Sequence, residues 1–286
     1  MAARGTNIHL VIVDDQNDFM DQPDAALPVL GALADAGRVA QLIDTHGRRF
    51  SDIHVTLDSH HPVDVGHPTM WLDANGQPPA PFTAIMAQDI RDRLWTPRNE
   101  NARPRELGGK TIRQYFIDYA QQLEDQGKYV LMVWPMHCLI GSWGHNVEPG
   151  LATALQNWER RNFASVDYVT KGTNPWTEHY GALQAEVPMA SDPATQLNHG
   201  FLRTLASADL VAFAGEALTH CVLETMRQVV YNVDPKLVSK IMLLTDASSP
   251  IPQPPGGPDF PAIAQVAIDD MVKRGMQLGT STDLFT

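Results

Sequence analysis

The feature that most constrains the fold is a regular alternation of two hydrophobic patterns along the chain. Short apolar runs with the length of buried strands occur at residues 8–13, 53–57, 129–133, 166–169, 210–214 and 241–244. Interspersed with them are segments with the apolar spacing of one helix face, at residues 29–42, 112–123, 151–160, 201–207, 221–231 and 261–274. The alternation predicts a Rossmann-like α/β fold of three layers, with a mostly parallel central sheet of about six strands between helices.

Residues 62–110 interrupt this alternation, because they separate the second and third predicted strands by far more than an ordinary connection. Their Trp71, Phe82, Ile85 and Trp95 indicate a segment that packs, as a lid, a binding loop or an oligomer contact. No internal repeat or boundary is visible elsewhere. We therefore expect the 286 residues to form a single domain that carries this long insertion.

Charge and cysteine content indicate which partners and which cellular compartment to expect for the protein. The net charge of −12 argues against nucleic acid and anionic membranes as partners. No segment approaches the roughly 18 continuous apolar residues of a membrane span. The N-terminus lacks the apolar core of a signal peptide, and the two cysteines, Cys138 and Cys221, give no disulfide framework. These features favour the reducing cytoplasm.

Residues with reactive side chains follow five of the predicted strands, where the sites of parallel sheets gather. They are Asp14, the pair Asp58 and His60, His137, Lys171 and Cys221. Each has a commoner structural explanation when taken alone: a helix cap, a loop histidine, a solvated lysine or a buried thiol. Chance explains the set less well than any member, so the sequence predicts an active site at this edge.

Cys221 is the candidate nucleophile, because it stands where a predicted strand gives way to a helix. Backbone N–H groups at a helix start favour thiolate over thiol and lie where an oxyanion would form. Cys138 is the rival nucleophile, but it lacks this strand-to-helix setting. Lys171 and Asp14 would each stabilise the charged form of the other if they lie close together.

The Asp58–His60 segment is the candidate metal site. Asp-x-His places both side chains on one face of an extended segment, and carboxylate with imidazole suits zinc, iron or manganese. His137 could supply another imidazole.

Together these motifs resemble the cysteine-hydrolase superfamily of isochorismatase-like fold, and within it the nicotinamidase/pyrazinamidase branch. The matching pieces are Val-Asp-x-Gln-Asn-Asp-Phe at 13–19, Asp-x-His at 58–60, Trp-Pro-x-His-Cys at 134–138, Lys-Gly at 171–172 and Gly-x-Ala-x-x-x-Cys at 215–221. The chain departs from the family in the length of its insertion, in His61 after the Asp-x-His motif, and in Glu216 at a commonly small apolar position. These departures leave the size and identity of the substrate open.

The resemblance implies a catalytic triad of Asp14, Lys171 and Cys221. In that scheme the aspartate accepts the thiol proton, the lysine holds the charges together, and the sulfur attacks an amide carbonyl. Ammonia leaves and water then hydrolyses the thioester. A cis peptide is expected between Glu216 and Ala217, and the N–H groups of Ala217 and Cys221 would form the oxyanion hole.

The resemblance also implies one divalent metal ion, with zinc expected first and iron or manganese as alternatives. The implied ligands are Asp58, His60 and His137, with His67 as a fourth and His61 as its competitor. Phe19 and Trp134 match aromatic positions that flank the substrate ring. A homo-oligomer is expected as well.

The expected function is metal-dependent hydrolysis of nicotinamide, or a related small aromatic amide, to the acid and ammonia. A metal-free relative acting on a carbamoyl or ureido compound, or on isochorismate, is the first alternative. The others are a catalytically silent binding protein on this fold and a metalloenzyme that uses zinc-bound water. Loss of activity on replacing Cys221 would argue against the last of these.

Overall fold

The structure, a computed structural model, describes residues 6–253 and 257–285. The strands are β1 (Ile8–Val13), β2 (Asp52–Asp58), β3 (Trp71–Leu72), β4 (Thr83–Ile85), β5 (Thr96–Pro97), β6 (Leu131–Val133), β7 (Asp167–Lys171), β8 (Leu210–Gly215), β9 (Ile241–Leu244) and β10 (Gln277–Gly279). The α-helices are α1 (Ala32–His46), α2 (Ala87–Arg91), α3 (Ile112–Gln126), α4 (Pro149–Asn162), α5 (His199–Ala206), α6 (Leu223–Asn232) and α7 (Phe260–Lys273).

A six-stranded parallel sheet forms the centre, in the order β10–β9–β8–β1–β2–β7. Side chains alternate between its faces. Leu10 and Ile12 of β1 pack with apolar residues of α1 and α4, whereas Val11 and Val13 pack with those of α5, α6 and α7. The predicted three-layer α/β fold with a parallel central sheet is therefore confirmed.

One predicted central strand lies elsewhere. The run at 129–133 forms only the short β6, which pairs antiparallel with β4 from the insertion and does not join the central sheet. Its place as the sixth strand is taken by β10, which pairs with β9 at the sheet edge. Because β10 is short and mostly polar, its sequence gave no strand signal.

The insertion packs, as its aromatic residues indicated. Trp71 and Ile85 are fully buried in a third apolar cluster together with residues of α3, and Trp95 packs against that cluster. Phe82 is the exception, because 42% of its surface is exposed and its ring meets the edge of Trp134. Among the residues that the structure describes, no helix has both the length and the apolar character needed to cross a membrane.

Candidate active site

The carboxyl ends of four neighbouring strands bring the predicted reactive residues to one place. Asp14 follows β1, and Asp58 and Lys171 are the last residues of β2 and β7, where they are register partners. The turn that carries Cys221 follows β8. Because parallel strands end at the same edge, residues far apart in sequence become neighbours here.

Gly215 lets the turn after β8 approach β1. Its φ is +111°, and a Cβ atom there would lie 2.1 Å from the carbonyl oxygen of Val13. Only glycine fits at this contact. One residue further on, the peptide bond between Glu216 and Ala217 is cis, as predicted.

Lys171 is the centre of the site, and its ammonium group is completely buried. Its Nζ lies 2.9 Å from Asp14 Oδ2, 2.9 Å from Asp58 Oδ1 and 3.5 Å from Cys221 Sγ. It also donates a hydrogen bond of 3.0 Å to the carbonyl oxygen of His179. A single cation therefore joins the three acidic side chains of the site.

These contacts set the protonation of the resting site. Burial by itself lowers the pKa of Lys171, but Asp14, Asp58 and Cys221 raise it well above its usual value, so the ammonium form persists. Burial raises the pKa of Asp14, and Lys171 opposes that rise. Thr56 Oγ1 donates to Asp14 Oδ1 at 2.5 Å, which fixes the carboxyl group.

Cys221 differs from the sequence expectation in two ways. It lies within a π-helical turn, Leu218–Val222, that precedes α6, rather than at the start of the α-helix. Burial raises the pKa of its thiol well above the usual value, although Lys171 acts in the opposite direction. The resting residue is therefore a thiol, and it needs a base to become a nucleophile. One carboxylate oxygen of Asp14 lies within 4.8 Å of the sulfur.

The predicted oxyanion-hole residues line the cavity of the site, whereas the rival cysteine does not. Ala217 and Cys221 both line the same small cavity. Within residues 6–253 and 257–285, the Ala217 N–H finds no protein acceptor. Cys138 does not line this cavity; it is fully buried, and its sulfur lies 4.0 Å from the carbonyl oxygen of Gly144.

The predicted metal ligands form a cluster beside Lys171. Asp58, His60 and His137 each offer one ligand atom, and these atoms lie within 4.8 Å of one another. His60 Nε2 is 3.0 Å, and His137 Nε2 3.4 Å, from Asp58 Oδ2. The His67 ring joins them, with centroid distances of 5.1 Å to His60 and 5.4 Å to His137.

The orientation of the three imidazoles fits a divalent metal ion. In each ring Nδ1 is held by an oxygen: Asp64 Oδ2 for His60, the Pro135 carbonyl for His137, and the His61 carbonyl for His67. With a proton on Nδ1, each ring would turn its Nε2 lone pair toward a bound metal ion, as in metal sites with outer-shell acceptors. His67 Nε2 is buried, and no residue in the described part of the chain gives it a hydrogen-bond partner. Burial and the other two imidazoles lower the pKa of His67 to about 4, which keeps it in the neutral form that binds metals.

His61 and Gly172 complete the description of this cluster. The side chain of His61 is exposed, and only its carbonyl oxygen contacts the cluster. Gly172 has a φ of +78°, and a Cβ atom there would lie 2.8 Å from Asp58 Oδ1 and 3.2 Å from His60 Cε1. The backbone of the Lys-Gly motif thus packs directly against two of the predicted ligands.

Aromatic residues line the cavity next to Cys221. Phe19 and Trp134 were predicted there, and Trp134 Nε1 donates to the hydroxyl oxygen of Tyr180 at 3.2 Å. Tyr180, His220 and Glu178 also line the cavity, although no sequence motif pointed to them. Burial raises the pKa of Glu178 to about 7. A larger pocket lies beyond the same Trp134 wall, but none of the predicted catalytic residues or metal ligands reaches it.

Comparison with known proteins adds structural neighbours only. No protein-family model matches the chain, and no curated protein matches it. A nicotinamidase/pyrazinamidase of Acinetobacter baumanii is 20% identical over 99% of this chain and 100% of that one, with a TM-score of 0.59. Yeast nicotinamidase is 17% identical over 95% of this chain and 98% of its own, with a TM-score of 0.57. Pyrococcus horikoshii pyrazinamidase, solved with zinc, is 18% identical over 96% of this chain and 99% of its own, with a TM-score of 0.52.

Proposed function

Because the chain has the isochorismatase-like fold of the nicotinamidases and pyrazinamidases, we propose that it is a metal-dependent amidase. Its substrate would be nicotinamide or a related small heteroaromatic amide, and its products the acid and ammonia. The observation that carries the proposal is the contact of one buried lysine with a thiol, a potential base and a predicted metal ligand. The thiol of Cys221 and the carboxylate of Asp58 border a cavity with aromatic walls.

The protein groups account for each step of amide hydrolysis. The Cys221 thiol loses its proton to Asp14 while the sulfur bonds to the amide carbon. The N–H groups of Ala217 and Cys221 stabilise the resulting oxyanion. The amine then takes the proton from Asp14 and leaves as ammonia. Water attacks the thioester, with Asp14 as base, and the acid departs as the thiol is restored.

Lys171 has a positioning role in this scheme. It stays charged throughout, holds Asp14 next to the sulfur, and stabilises the thiolate as that charge develops. Its second carboxylate partner, Asp58, connects the reacting groups to the cluster of His60, His67 and His137. A metal ion bound by those four residues would supply a Lewis acid that orients the ring nitrogen of the substrate.

The decisive experiment measures ammonia release from nicotinamide and pyrazinamide by the zinc-loaded protein. We expect Cys221→Ala to lower kcat/KM by at least about 1,000-fold, since no other group can form the thioester. The matched control is Cys138→Ala, which removes the other buried thiol and should retain activity. Full turnover by Cys221→Ala would refute the proposed nucleophile and favour attack by metal-activated water.

We further propose a cytoplasmic homo-oligomer without nucleic-acid or membrane partners. The net charge of −12 supports the last part of this proposal, and the family resemblance supports the oligomer. Analytical ultracentrifugation of the purified protein would test the oligomeric state, and a monomer at micromolar concentration would contradict it.

A further inference from the structure

A second group of potential metal ligands lies at the opposite, amino-terminal edge of the central sheet. His9 is near the start of β1, and Asp52 and His54 are near the start of β2. His9 pairs with Asp52 in the ladder, so the three side chains share one face of the sheet. One ligand atom from each lies within 4.8 Å of the other two. Both histidines are buried.

The outward nitrogen of each ring is held by an oxygen. His54 Nδ1 lies 2.8 Å from Asp167 Oδ2, and His9 Nε2 lies 3.2 Å from Asn7 Oδ1. The Asn7 amide is oriented by its own Nδ2, which donates to the carbonyl oxygen of Ser207 at 3.3 Å. Both oxygens are acceptors, so each of these ring nitrogens carries a proton.

If both rings are neutral, no proton lies between the two remaining nitrogens. His9 Nδ1 and His54 Nε2 are 3.0 Å apart. A neutral imidazole has one N–H, and both rings have used theirs on the outer acceptors. Two lone pairs therefore point into the same small space. Only a third proton or a metal ion can make this arrangement favourable.

We propose that His9, Asp52 and His54 bind a divalent transition-metal ion of the zinc class. The ligand atoms are His9 Nδ1, His54 Nε2 and a carboxylate oxygen of Asp52. Two nitrogens that each bond zinc at about 2.0–2.1 Å with tetrahedral angles lie about 3.3 Å apart, close to the separation here. The carboxylate of Asp52 makes no hydrogen bond or ion pair within the described part of the chain, so it is free to coordinate.

The surroundings have the form expected around a metal ion. Asp167 and Asn7 hold the outer nitrogens of the two rings, which fixes the tautomer and raises the basicity of the ligand atoms. His54 is also packed edge-on against Phe201 of α5, with ring centroids 5.2 Å apart. The ion would connect β1 to β2 directly and β7 through Asp167, at the edge of the sheet that has no catalytic residue.

Zinc stoichiometry, measured by equilibrium dialysis and elemental analysis, tests the proposal in the intact chain. The wild type should bind two ions, and His54→Gln should bind one while keeping amidase activity within about twofold. His137→Ala should also bind one, through loss of the ion at the catalytic edge. The matched control His199→Gln, at an exposed histidine that begins α5, should bind two.

A second variant guards against misfolding of His54→Gln. Asp52→Asn changes a half-buried residue conservatively, and it should weaken one of the two zinc sites at least about tenfold. Unchanged stoichiometry and affinity in both variants would overturn the proposal and leave a shared proton between the rings. Two ions bound by His137→Ala would instead count against the metal site of the proposed amidase alone.

Discussion

The two edges of the central sheet carry similar ligands in different settings. At the carboxyl edge, Asp58, His60 and His137 stand beside Lys171, Cys221 and a cavity. At the amino edge, His9, Asp52 and His54 form a cluster of the same composition. The described residues place no cysteine near that second cluster. Ligand chemistry alone therefore predicts metal binding, whereas catalysis also needs a nucleophile, a base and room for substrate.

The difference follows from the backbone at each edge. His9 and His54 lie inside strands, where the ladder fixes their direction. At the carboxyl edge the chain leaves the ladder through residues with positive φ, among them Asp14, Gly172 and Gly215. These turns allow close approaches that a strand does not permit, and they place side chains from several strands around one point.

The largest difference between the two edges is expected at Lys171, which has no counterpart among the amino-edge ligands. Lys171→Met leaves the carboxylates of Asp14 and Asp58 buried without their cation, which we expect to cost about 3–5 kcal/mol of unfolding free energy. Amide hydrolysis should fall at least about 1,000-fold, because Asp14 and the sulfur lose their shared partner. Urea unfolding and ammonia release measure the two effects.

The control for that variant is Lys110→Met, which removes an exposed lysine paired with Asp118. It should change stability by no more than about 0.5–1 kcal/mol. Equal losses in the two variants would mean that the buried charges contribute nothing specific to the carboxyl edge.

A smaller effect, confined to one edge, is expected at Gly172. Gly172→Ala introduces a Cβ that would lie 2.8 Å from Asp58 Oδ1, so we expect zinc affinity at the carboxyl edge to fall about 10–100-fold. Gly76→Ala is the matched control, because Gly76 has nearly the same φ, +76°, with open space around it. Competition with a chromophoric chelator measures both sites.

Zinc binding at the amino edge should be unchanged in Gly172→Ala. Equal weakening of both sites, or equal effects of the two glycine variants, would show that backbone strain rather than the Asp58 contact is responsible.

The smallest effect is expected at Asp15, which differs from its neighbour Asp14 in its contacts. Both are fully buried, but the two carboxylate oxygens of Asp15 have no hydrogen-bond partner among the residues that the structure describes. Burial raises the pKa of Asp15 well above its usual value, and nearby Asp35 adds to the rise. The folded state therefore binds this proton more tightly than the unfolded state. Its contribution to stability falls as pH rises above about 4, the pKa of an unfolded aspartate.

Asp15→Asn removes this titration. Its unfolding free energy relative to wild type should therefore rise with pH, by up to about 1.4 kcal/mol per unit above pH 4. Urea unfolding at pH 5 and pH 8 measures the change, with the exposed Asp24→Asn as control. A difference between Asp15→Asn and wild type that is independent of pH would contradict the assignment.

Part of the site could be read from motifs, and part could not. Asp14, Lys171 and Cys221 were predicted together because each follows a strand within a recognisable motif, and they lie in contact around Lys171 Nζ. Glu178 and Tyr180 were missed because residues 174–198 contain no regular α-helix or strand and no periodic signal. Neither His9 nor His54 was predicted as a metal ligand, because each lies inside an apolar run, and such a run indicates a strand.

The alternation of strands and helices, the fold class and the residue types that follow each strand are all visible in the amino-acid sequence. These depend on local periodicity, which a chain carries before it folds. Three features became clear only from the folded protein: β10 rather than the 129–133 run completes the sheet, His67 rather than His61 faces the other imidazoles, and the Asp15 carboxylate is buried with no hydrogen-bond partner among the described residues. Those outcomes depend on long-range strand pairing and on burial, both of which are set by contacts between residues distant in the chain.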